Sequence, residues 1–516
     1  MTRTALGLLV VLTLGGCGAG AGAPHRADRN AAVSDGPGGA LYSWSVSGSQ
    51  PATVSAENRL PGTTAWRLAG GRGRGPIAAY VSSQDVTPGE PERIYVRAPG
   101  ARRVSVRIFR MGYYEGRGGR EVLSSAPLPV GPQPACTHVS QTGLTECHWH
   151  PTLSLTIPRA LPSGVYVVRL DTPGGDRREC LFVVRATRPA PLLAQISTAT
   201  YEAYNAWGGD SLYPGGARRV LATGTSQGVE VSYDRPYDSV SGAGQLFVRD
   251  IAMVRFLERY GYPVSYTTNA SVDTAPGQLL GAHTLLDIGH SEYWSQAAML
   301  GFERARDRGV SLVFLSSDTL AWRVRFQAAT GASSEAGAPA HRIVAYKEHV
   351  AADPDRVLPT GPFPGLGAGL TGSGYENCIT PRAPVSGRAV YHYYDWSPTA
   401  SLSPAWLFAG TGLRAGQSIP GILGYELDRR SAGAPVGTLV VGGGSAPCQT
   451  GGSGLGQSTL YRARSGALVF ASGTLGWELG LSPVADAGPG APRVADPRLV
   501  ALTRNLLGRA LGGSAR

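Results

Sequence analysis

The segment Thr284-Leu-Leu-Asp-Ile288, followed by Gly289-His-Ser-Glu-Tyr-Trp294, decides the expected fold of this 516-residue chain. The apolar run predicts a buried strand, and the amphipathic pattern that follows predicts a helix. In an open α/β sheet, ligand-binding and catalytic groups collect at the carboxyl ends of the strands. His290 and Glu292 are therefore expected at such an edge.

Other strand-like and helical patterns alternate with this segment. Strand-like runs cover 192–197, 310–315 and 467–472, and an apolar helical stripe runs over 247–257. Alternating strands and helices require crossover connections, which favour a parallel sheet with helices outside it. We therefore predict an α/β domain with a mostly parallel sheet over residues 188–516.

Residues 76–187 follow a different pattern. Apolar side chains alternate with polar ones, as at Val104, Val106 and Ile108, and Gly/Pro-rich turns separate the short runs. Such strands predict an Ig-like β-sandwich domain, which we interpret as a structural or substrate-positioning module. The preceding residues, 18–75, are expected to form a flexible tether and an N-terminal segment.

Residues 1–17 have the pattern of a bacterial lipoprotein signal peptide. The apolar stretch over 5–14 is too short to span a bilayer in the mature protein, and Leu14-Gly-Gly-Cys17 resembles a lipobox. We therefore expect lipid attachment at Cys17. In the alternative, an ordinary secretory signal with an incidental Cys17, the protein is still exported. The expected location is the extracellular face of the bacterial cell membrane.

The formal net charge of +11 does not by itself indicate nucleic-acid binding. Lys347 is the only lysine, the arginines are scattered, and no dense basic run is interleaved with aromatic residues. We expect no nucleic-acid partner, and contact with the membrane only through the lipid anchor.

Five cysteines follow the signal segment, and export makes disulfides permissible. Cys136 and Cys147 flank a polar loop and are one candidate pair. Cys378 and Cys448 lie in Gly-rich segments and are a second. Cys180 would then remain as a buried thiol, although the sequence alone does not fix the connectivity.

Two segments offer a nucleophile for hydrolysis. Gly224-Thr-Ser-Gln-Gly228 fits the G-x-S-x-G pattern, but a strand-like segment follows it where a nucleophile elbow needs a helix. Ser445 and Cys448 lie in a Gly-rich segment without a strand–elbow–helix context. A serine or cysteine hydrolase is therefore only weakly indicated.

Tyrosine, histidine and glutamate form a better set. The segment 200–213 contains Tyr204 and Tyr213, and the next apolar run leads to His290 and Glu292. Phenolate and carboxylate are hard oxygen donors, which suit a Lewis-acidic ion such as ferric iron. Such an ion polarises an amide carbonyl and acidifies a bound water. The simpler interpretation is a hydrogen-bonded His–Glu pair beside packed tyrosines.

Five further residues are candidates for substrate binding. Trp207, Trp294 and Trp322 could wall an apolar pocket for a small amide, although core packing is the alternative for each. Asp318 and Arg323 follow the strand predicted over 310–315, where substrate contacts often occur. Their alternative is a surface ion pair.

Several motifs resemble one family, the exported proteins related to the large (β) subunit of N,N-dimethylformamidase. The resemblance covers most of the chain after the tether. It is carried by Asn58-Arg-Leu-Pro-Gly-Thr-Thr-Ala-Trp66, Ile108-Phe-Arg-Met-Gly-Tyr-Tyr114, Gly289-His-Ser-Glu-Tyr-Trp294 and Trp406-Leu-Phe-Ala-Gly-Thr-Gly-Leu-Arg414.

This resemblance implies a glutamine-amidotransferase-like α/β domain without the usual cysteine nucleophile. In the amidase, two tyrosines and a glutamate hold a mononuclear non-haem iron, with a histidine beside them. Transferred to this sequence, Glu292 is the carboxylate ligand and His290 the neighbouring acid/base or orienting group. Tyr204 and Tyr213 are the phenolate ligands, with Tyr201 as the alternative to Tyr213. The amidase also works with a small partner subunit, for which this sequence carries no sign.

Together these observations predict an iron (Fe³⁺)-dependent hydrolase that cleaves a C–N amide bond of a small amide or cell-surface substrate. Tyr204, Tyr213 and Glu292 would bind the metal, and His290 would carry the proton to the leaving amine. Two alternatives remain. One is a non-catalytic surface protein that binds carbohydrate or a cell-wall ligand, and the other is a purely structural metal site.

Overall fold

The computed structural model is dominated by β-structure, with 35% of the described residues in strands and 19% in helices. The predicted signal peptide, its Cys17 and the first part of the tether lie outside the described residues. The structure describes residues 42–46, 51, 53–215, 219–328, 341–385, 388–484, 487 and 489–512.

Short strands occupy the N-terminal part of the chain. They are β1 Tyr42–Trp44, β2 Ala78–Val81, β3 Asp85–Val86, β4 Pro91–Arg97, β5 Arg103–Met111, β6 Gly119–Ser125, β7 Leu128–Pro129, β8 Thr137–Val139, β9 Leu144–Glu146, β10 Pro151–Thr156, β11 Gly164–Asp171 and β12 Arg177–Val184.

Strands continue through the C-terminal part. They are β13 Leu192–Ile196, β14 Glu230–Ser232, β15 Val264–Thr268, β16 Thr284–Ile288, β17 Tyr293–Ser295, β18 Ser311–Leu315, β19 Trp322–Gln327, β20 Arg342–Val344, β21 Gly361–Pro362, β22 Ser373–Ile379, β23 Arg382–Val385, β24 Arg388–Tyr391, β25 Tyr394–Pro398, β26 Ile419–Leu423, β27 Glu426–Arg430, β28 Leu439–Pro447, β29 Ser453–Arg462 and β30 Leu468–Ala471.

The helices are mostly short. The α-helices are α1 Val54–Asn58, α2 Thr198–Ala203, α3 Asp250–Arg259, α4 Asn269–Thr274, α5 Gln296–Asp307, α6 Ala368–Thr371, α7 Ala405–Phe408 and α8 Pro497–Ala510. The 3₁₀-helices are Ala69–Gly71, Tyr114–Gly116, Pro276–Gly281, Lys347–Ala352, Pro364–Gly367 and Glu478–Gly480. None of the helices in the described ranges combines the length and apolar character needed to cross a membrane.

A seven-stranded sheet in the order β1-β6-β5-β11-β12-β3, with β7 on β5, faces a three-stranded sheet in the order β10-β4-β2. Side chains alternate along its central strands, so that Ile108 and Val168 point into the core shared with the smaller sheet. Phe109 and Val167 point to the opposite face, where they pack with residues of the C-terminal part. The larger sheet is therefore buried on both faces, unlike a free-standing sandwich.

A nine-stranded sheet in the order β15-β13-β16-β18-β30-β29-β28-β25-β26 forms the centre of the C-terminal part. Its first five strands run parallel through four pairings, and the remaining four pairings are antiparallel. The predicted fold class, an Ig-like β-sandwich followed by a glutamine-amidotransferase-like α/β domain with a mostly parallel sheet, is therefore wrong. The domain boundaries stay predictions.

The antiparallel half was missed because glycines disguise its strands. The β28 strand contains Gly442, Gly443 and Gly444, which have low strand propensity. A Cβ at Gly442 would lie 2.1 Å from the Trp396 ring, so the close approach of the ring to the strand requires glycine. Hairpins join such strands without crossover helices, and the pattern of alternating strands and helices does not reveal them.

Apolar side chains cover both faces of the parallel strands. Leu286 and Val313 pack on one face with α3 and α8. Leu285 and Leu312 pack on the other face with α5. Burial on both faces explains why these strands have continuous apolar sequences rather than alternating ones.

Two disulfides brace the fold. Cys136 is bonded to Cys147, and Cys378 on β22 is bonded to Cys448 in the turn between β28 and β29. Cys180, on β12, is a buried free thiol. The second bond attaches the Gly-rich hairpin to the strand that pairs with β27.

Candidate active site

A sharp turn after β16 delivers the predicted residues. Gly289 has a φ of 75°, and a Cβ there would lie 2.0 Å from a carboxylate oxygen of Asp250. The chain then passes through His290 and Glu292 and enters β17, which runs parallel to β19 in a second, five-stranded sheet. The turn thus carries both side chains from one sheet to the other at the carboxyl end of a buried strand.

Side-chain oxygens of three residues meet beside this turn. The Tyr204 hydroxyl lies 2.9 Å from Oε2 of Glu292, and the Tyr213 hydroxyl lies 2.5 Å from Oε1. The two hydroxyls are 2.8 Å apart, and their rings stack at 4.3 Å. Tyr204 caps the end of α2, while Tyr213 lies in the loop that follows it. The structure therefore brings the three predicted metal ligands to one point.

The spacing of these oxygens suits a small, hard cation. Adjacent ligands in octahedral coordination at about 2.0–2.1 Å lie about 2.8–3.0 Å from each other. The observed separations of 2.5, 2.8 and 2.9 Å are close to that range. The donor set and its geometry therefore fit a ferric ion held by Tyr204, Tyr213 and Glu292.

Both phenols need help to lose their protons. Burial, followed by the negative charge of Glu292, raises the pKa of Tyr204 and of Tyr213 well above the usual value of 10. As they stand, the hydroxyls therefore remain protonated and can donate to the carboxylate. Only a strongly polarising cation would favour their phenolate forms.

Trp322 and the backbone fix the orientation of Glu292. The Trp322 indole N–H donates to Oε1 of Glu292 at 2.8 Å, and the Glu292 backbone N–H donates to Oγ1 of Thr200 at 3.1 Å. The Trp322 backbone N–H also donates to the Glu292 carbonyl at 3.0 Å. Trp322 was predicted as a substrate contact, and the structure places it against the carboxylate.

Lys347 lies beneath the tyrosines, and sequence reasoning did not select it. Its Nζ lies 3.6 Å from the Tyr213 ring centroid and 4.8 Å from that of Trp322, and it donates to the Leu212 carbonyl at 3.2 Å. Burial lowers its pKa, although the charge of Glu292 opposes this effect. The signal was available, because this is the sole lysine of the chain.

His290 is fully buried and faces two carboxylates. Its Nε2 lies 2.8 Å from Oε2 of Glu426 and 3.4 Å from Oε2 of Glu292, while Nδ1 lies 3.4 Å from the Tyr425 hydroxyl. Burial alone would lower its pKa, but the charge of Glu426, followed by that of Glu292, raises it above 6.5. The imidazole is therefore disposed to hold a proton.

Glu426 and Asp428 were missed by sequence reasoning. They begin β27, and residues two apart on a strand share a face. The acid–apolar–acid pattern Glu426-Leu-Asp428 in a Gly/Pro-rich region was the available signal. Burial raises the pKa of Asp428 to about 6.

Asp318 lies in the same acidic region. Its backbone has a φ of 51°, and its N–H donates to Oδ1 of Asp428 at 2.8 Å. Burial, with the charges of Glu292 and Glu426, raises the pKa of Asp318 well above 3.8. Of the predicted substrate contacts, Asp318 and Trp322 are thus the two that lie with His290 and Glu292.

The other two predicted tryptophans pack elsewhere. Trp207 contacts Trp149 at 6.0 Å in an aromatic cluster next to the N-terminal sheets. Trp294 is fully buried against Phe302 at 4.8 Å and donates to the Ser291 carbonyl at 2.9 Å. Packing accounts for both positions.

Arg323 and Tyr201 also point away from the oxygen cluster. Arg323 donates through Nε to the Pro359 carbonyl at 2.8 Å. The buried Tyr201 hydroxyl donates to Asp250. Tyr213, rather than Tyr201, therefore lies beside Tyr204.

The two nucleophile alternatives lose support. Cys448 is disulfide-bonded and offers no thiol. Ser226 lies in a loop, where its hydroxyl accepts from the Gly215 N–H at 3.0 Å, and the next element is the strand β14. Neither residue has the strand–elbow–helix context of a hydrolase nucleophile.

Comparison with known proteins identifies the family. No curated protein sequence matches this chain. Solved structures give only low similarity. The sporulation control protein Spo0M of Bacillus subtilis is 15% identical over 21% of this chain and 48% of its own, with a TM-score of 0.14. A cycloisomaltooligosaccharide glucanotransferase of Paenibacillus sp. is 8% identical over 63% of this chain and 62% of its own, with a TM-score of 0.18. The chain thus spans about half and about three fifths of these proteins.

The family model described as N,N-dimethylformamidase beta subunit-like, C-terminal, matches residues 105–490. That range is about three quarters of the chain, and it includes Tyr204, Tyr213, His290, Glu292 and Glu426. This chain belongs to the N,N-dimethylformamidase beta subunit-like family.

Proposed function

We propose that this protein is an iron-dependent amidohydrolase that cleaves the C–N bond of a small amide or of a cell-surface substrate. The observation that carries the proposal is the meeting of hard oxygen donors from three residues: the Tyr204 and Tyr213 hydroxyls are 2.8 Å apart, and they lie 2.9 Å and 2.5 Å from the two carboxylate oxygens of Glu292. Membership of a dimethylformamidase-like family supports amide hydrolysis at a coarse level.

Tyr204, Tyr213 and Glu292 would hold the iron. When bound, a ferric ion supplies Lewis acidity, which polarises a carbonyl and acidifies a water. The protein contributes the orientation of these ligands. Trp322 fixes one Glu292 oxygen, and the Lys347 ammonium beside the Tyr213 ring favours negative charge on that phenol.

His290 would carry the proton. Its Nε2 lies between the carboxylates of Glu292 and Glu426, which favour its protonated form. An imidazolium there can give a proton to the amine nitrogen as the C–N bond breaks, and can recover a proton from water. Glu426 then acts as a positioning residue that holds the imidazole and balances its charge.

Export as a lipoprotein anchored through Cys17 completes the proposal. Two disulfides, Cys136–Cys147 and Cys378–Cys448, suit an oxidising compartment outside the cytoplasm. The lipid on Cys17 would keep the folded part at the membrane surface. Mass spectrometry of the mature protein tests this step, since an unmodified N-terminus beyond Cys17 would contradict it.

Metal analysis with visible spectroscopy tests the catalytic proposal. The purified protein should contain about one iron per chain and show a phenolate-to-iron absorption band. Glu292→Gln should lose both, together with hydrolysis of N,N-dimethylformamide and related small amides. Glu179→Gln, which changes a buried glutamate on β12 outside the site, is the matched control and should keep all three.

One outcome of the metal analysis would refute the proposal. A native protein without iron or the absorption band, with the same stability as Glu292→Gln, would refute the iron-dependent amidase. A stable, colourless protein of that kind would favour the non-catalytic surface binding protein instead.

A further inference from the structure

A second group of donor atoms lies next to the tyrosine–glutamate cluster. His290, Asp318 and Glu426 each offer one ligand atom, and these atoms lie within 4.8 Å of one another. All three side chains are buried. Donors around a cation bound at about 2.0–2.2 Å are about 3–4.2 Å apart, so a small contraction would complete a site.

Each of these three side chains has a buried atom with unmet bonding capacity. Nε2 of His290, Oδ1 of Asp318 and Oε2 of Glu426 are buried and have no hydrogen-bond partner within the described part of the chain. Nε2 and Oε2 are 2.8 Å apart, yet they are not aligned as a hydrogen bond. Buried polar atoms are normally satisfied, so one unsatisfied atom on each of three neighbouring metal-binding side chains indicates a missing ligand.

The fold holds these donors in place. Asp318 has a left-handed backbone, and Asp428 Oδ1 accepts from its N–H and from the Ser317 hydroxyl, both at 2.8 Å. Glu426 starts β27, which pairs with β22, and His290 follows the tight turn at Gly289. The three side chains thus come from separate rigid segments, as expected of a built site.

The local charge also favours a cation. Glu292, Asp318, Glu426 and Asp428 bring carboxyl groups into one buried region, as their mutual electrostatic influence shows. The ammonium of Lys347, 3.6 Å from the Tyr213 ring centroid, opposes the raised pKa of Asp318 but does not reverse it. A positive ion placed among them would relieve their repulsion.

We propose that His290, Asp318 and Glu426 form a second metal site, for a divalent first-row transition cation, beside the site of Tyr204, Tyr213 and Glu292. One imidazole and two carboxylates form a mixed nitrogen–oxygen set that suits Zn²⁺ or Mn²⁺. Binding at this site does not depend on the proposed function. Its consequence does, because a nitrogen that binds a cation cannot carry a proton, so occupancy should inhibit amide hydrolysis.

Zinc titration of the iron-loaded full-length protein tests the site. Equilibrium dialysis with metal analysis should give one zinc per chain, and anomalous scattering at the zinc edge should place it between His290, Asp318 and Glu426. Asp318→Asn should weaken zinc binding at least about 100-fold, because even partners of metal ligands contribute 10–100-fold. Asp287→Asn, a buried change outside the cluster, is the matched control and should bind zinc normally.

Two further variants separate the possible failures. Tyr213→Phe should lose the iron but keep the zinc, so loss of zinc in this variant would mean that zinc enters the tyrosine site, and the proposal would fail. If thermal unfolding shows that Asp318→Asn folds poorly, Glu426→Gln takes its place. Glu426→Gln should show the same loss of zinc binding. Wild-type protein that binds no zinc, or Asp318→Asn and Glu426→Gln that both bind it normally, would overturn the second site. Failure of the iron site alone would leave it standing.

Discussion

The ammonium of Lys347 should control the acidity of Tyr213, and Lys347→Met removes it at nearly constant length. Nζ lies 3.6 Å from the ring centroid and is buried. Over about 4–5 Å to a phenolate oxygen, at an effective dielectric constant of about 20, the attraction is about 3–4 kcal/mol. Losing this attraction should raise the pKa of Tyr213 further.

Iron affinity reports this change, because the ligand must be a phenolate. We expect Lys347→Met to lower the affinity by about 100-fold or more, the equivalent of about 3 kcal/mol. Competition with a series of chelators measures it, and the position of the phenolate-to-iron band gives an independent readout. Lys347→Arg keeps the charge and should stay close to wild type. Wild-type affinity and an unshifted band in Lys347→Met would refute the electrostatic role.

Three further substitutions test other contacts. Trp322→Phe removes the indole N–H that donates to Glu292 and should lower the free energy of unfolding by about 1.5–3 kcal/mol in chemical denaturation. Arg110→Met leaves Glu258 buried without its cation and should cost about 3–5 kcal/mol, whereas a double variant with Glu258→Leu should recover most of that loss. In metal-free protein, the raised pKa of His290 gives a stabilisation that is complete below pH 6.5 and is lost as the pH rises through the folded-state pKa. His290→Asn should flatten that part of the stability–pH curve, and an unchanged curve would contradict the assignment.

The parallel strands could be predicted because the sequence of each strand alone shows that it is buried. The residues of β16 and β18 are buried on both faces, and such strands have continuous apolar sequences. The antiparallel strands β28 and β29 could not be predicted in this way, since their glycines remove the alternating pattern. Gly442, for example, is required by a contact with Trp396, which lies far away in sequence and outside any local window.

The candidate site likewise contains residues that the sequence predicts and one, Glu426, that it does not. The sequence predicted Tyr204, Tyr213 and Glu292 because their phenol and carboxylate groups are hard metal-binding donors in two short segments. Their hydroxyl and carboxylate oxygens do meet in the structure. Glu426 lies 134–136 residues beyond His290 and Glu292, in a Gly/Pro-rich segment in which we predicted no strand and no site residue other than the disulfide cysteines. Its proximity to His290 follows from the pairing of β27 with β22, and this long-range pairing is invisible in periodicity.

The antiparallel pair of β22 and β27 therefore completes the site. The parallel strand β16 ends at Ile288, and the turn that follows it supplies His290 and Glu292. The carboxylates that face His290 from the other side, Glu426 and Asp318, depend on β27 and on the hydrogen bonds that Asp428 accepts. Without Glu426 on β27, His290 would lack the carboxylate that most raises its pKa, and the second donor cluster would lack one of its three members. The proposed reaction therefore depends on two parts of the fold: the turn after β16, which carries His290 and Glu292, and β27, which begins with Glu426.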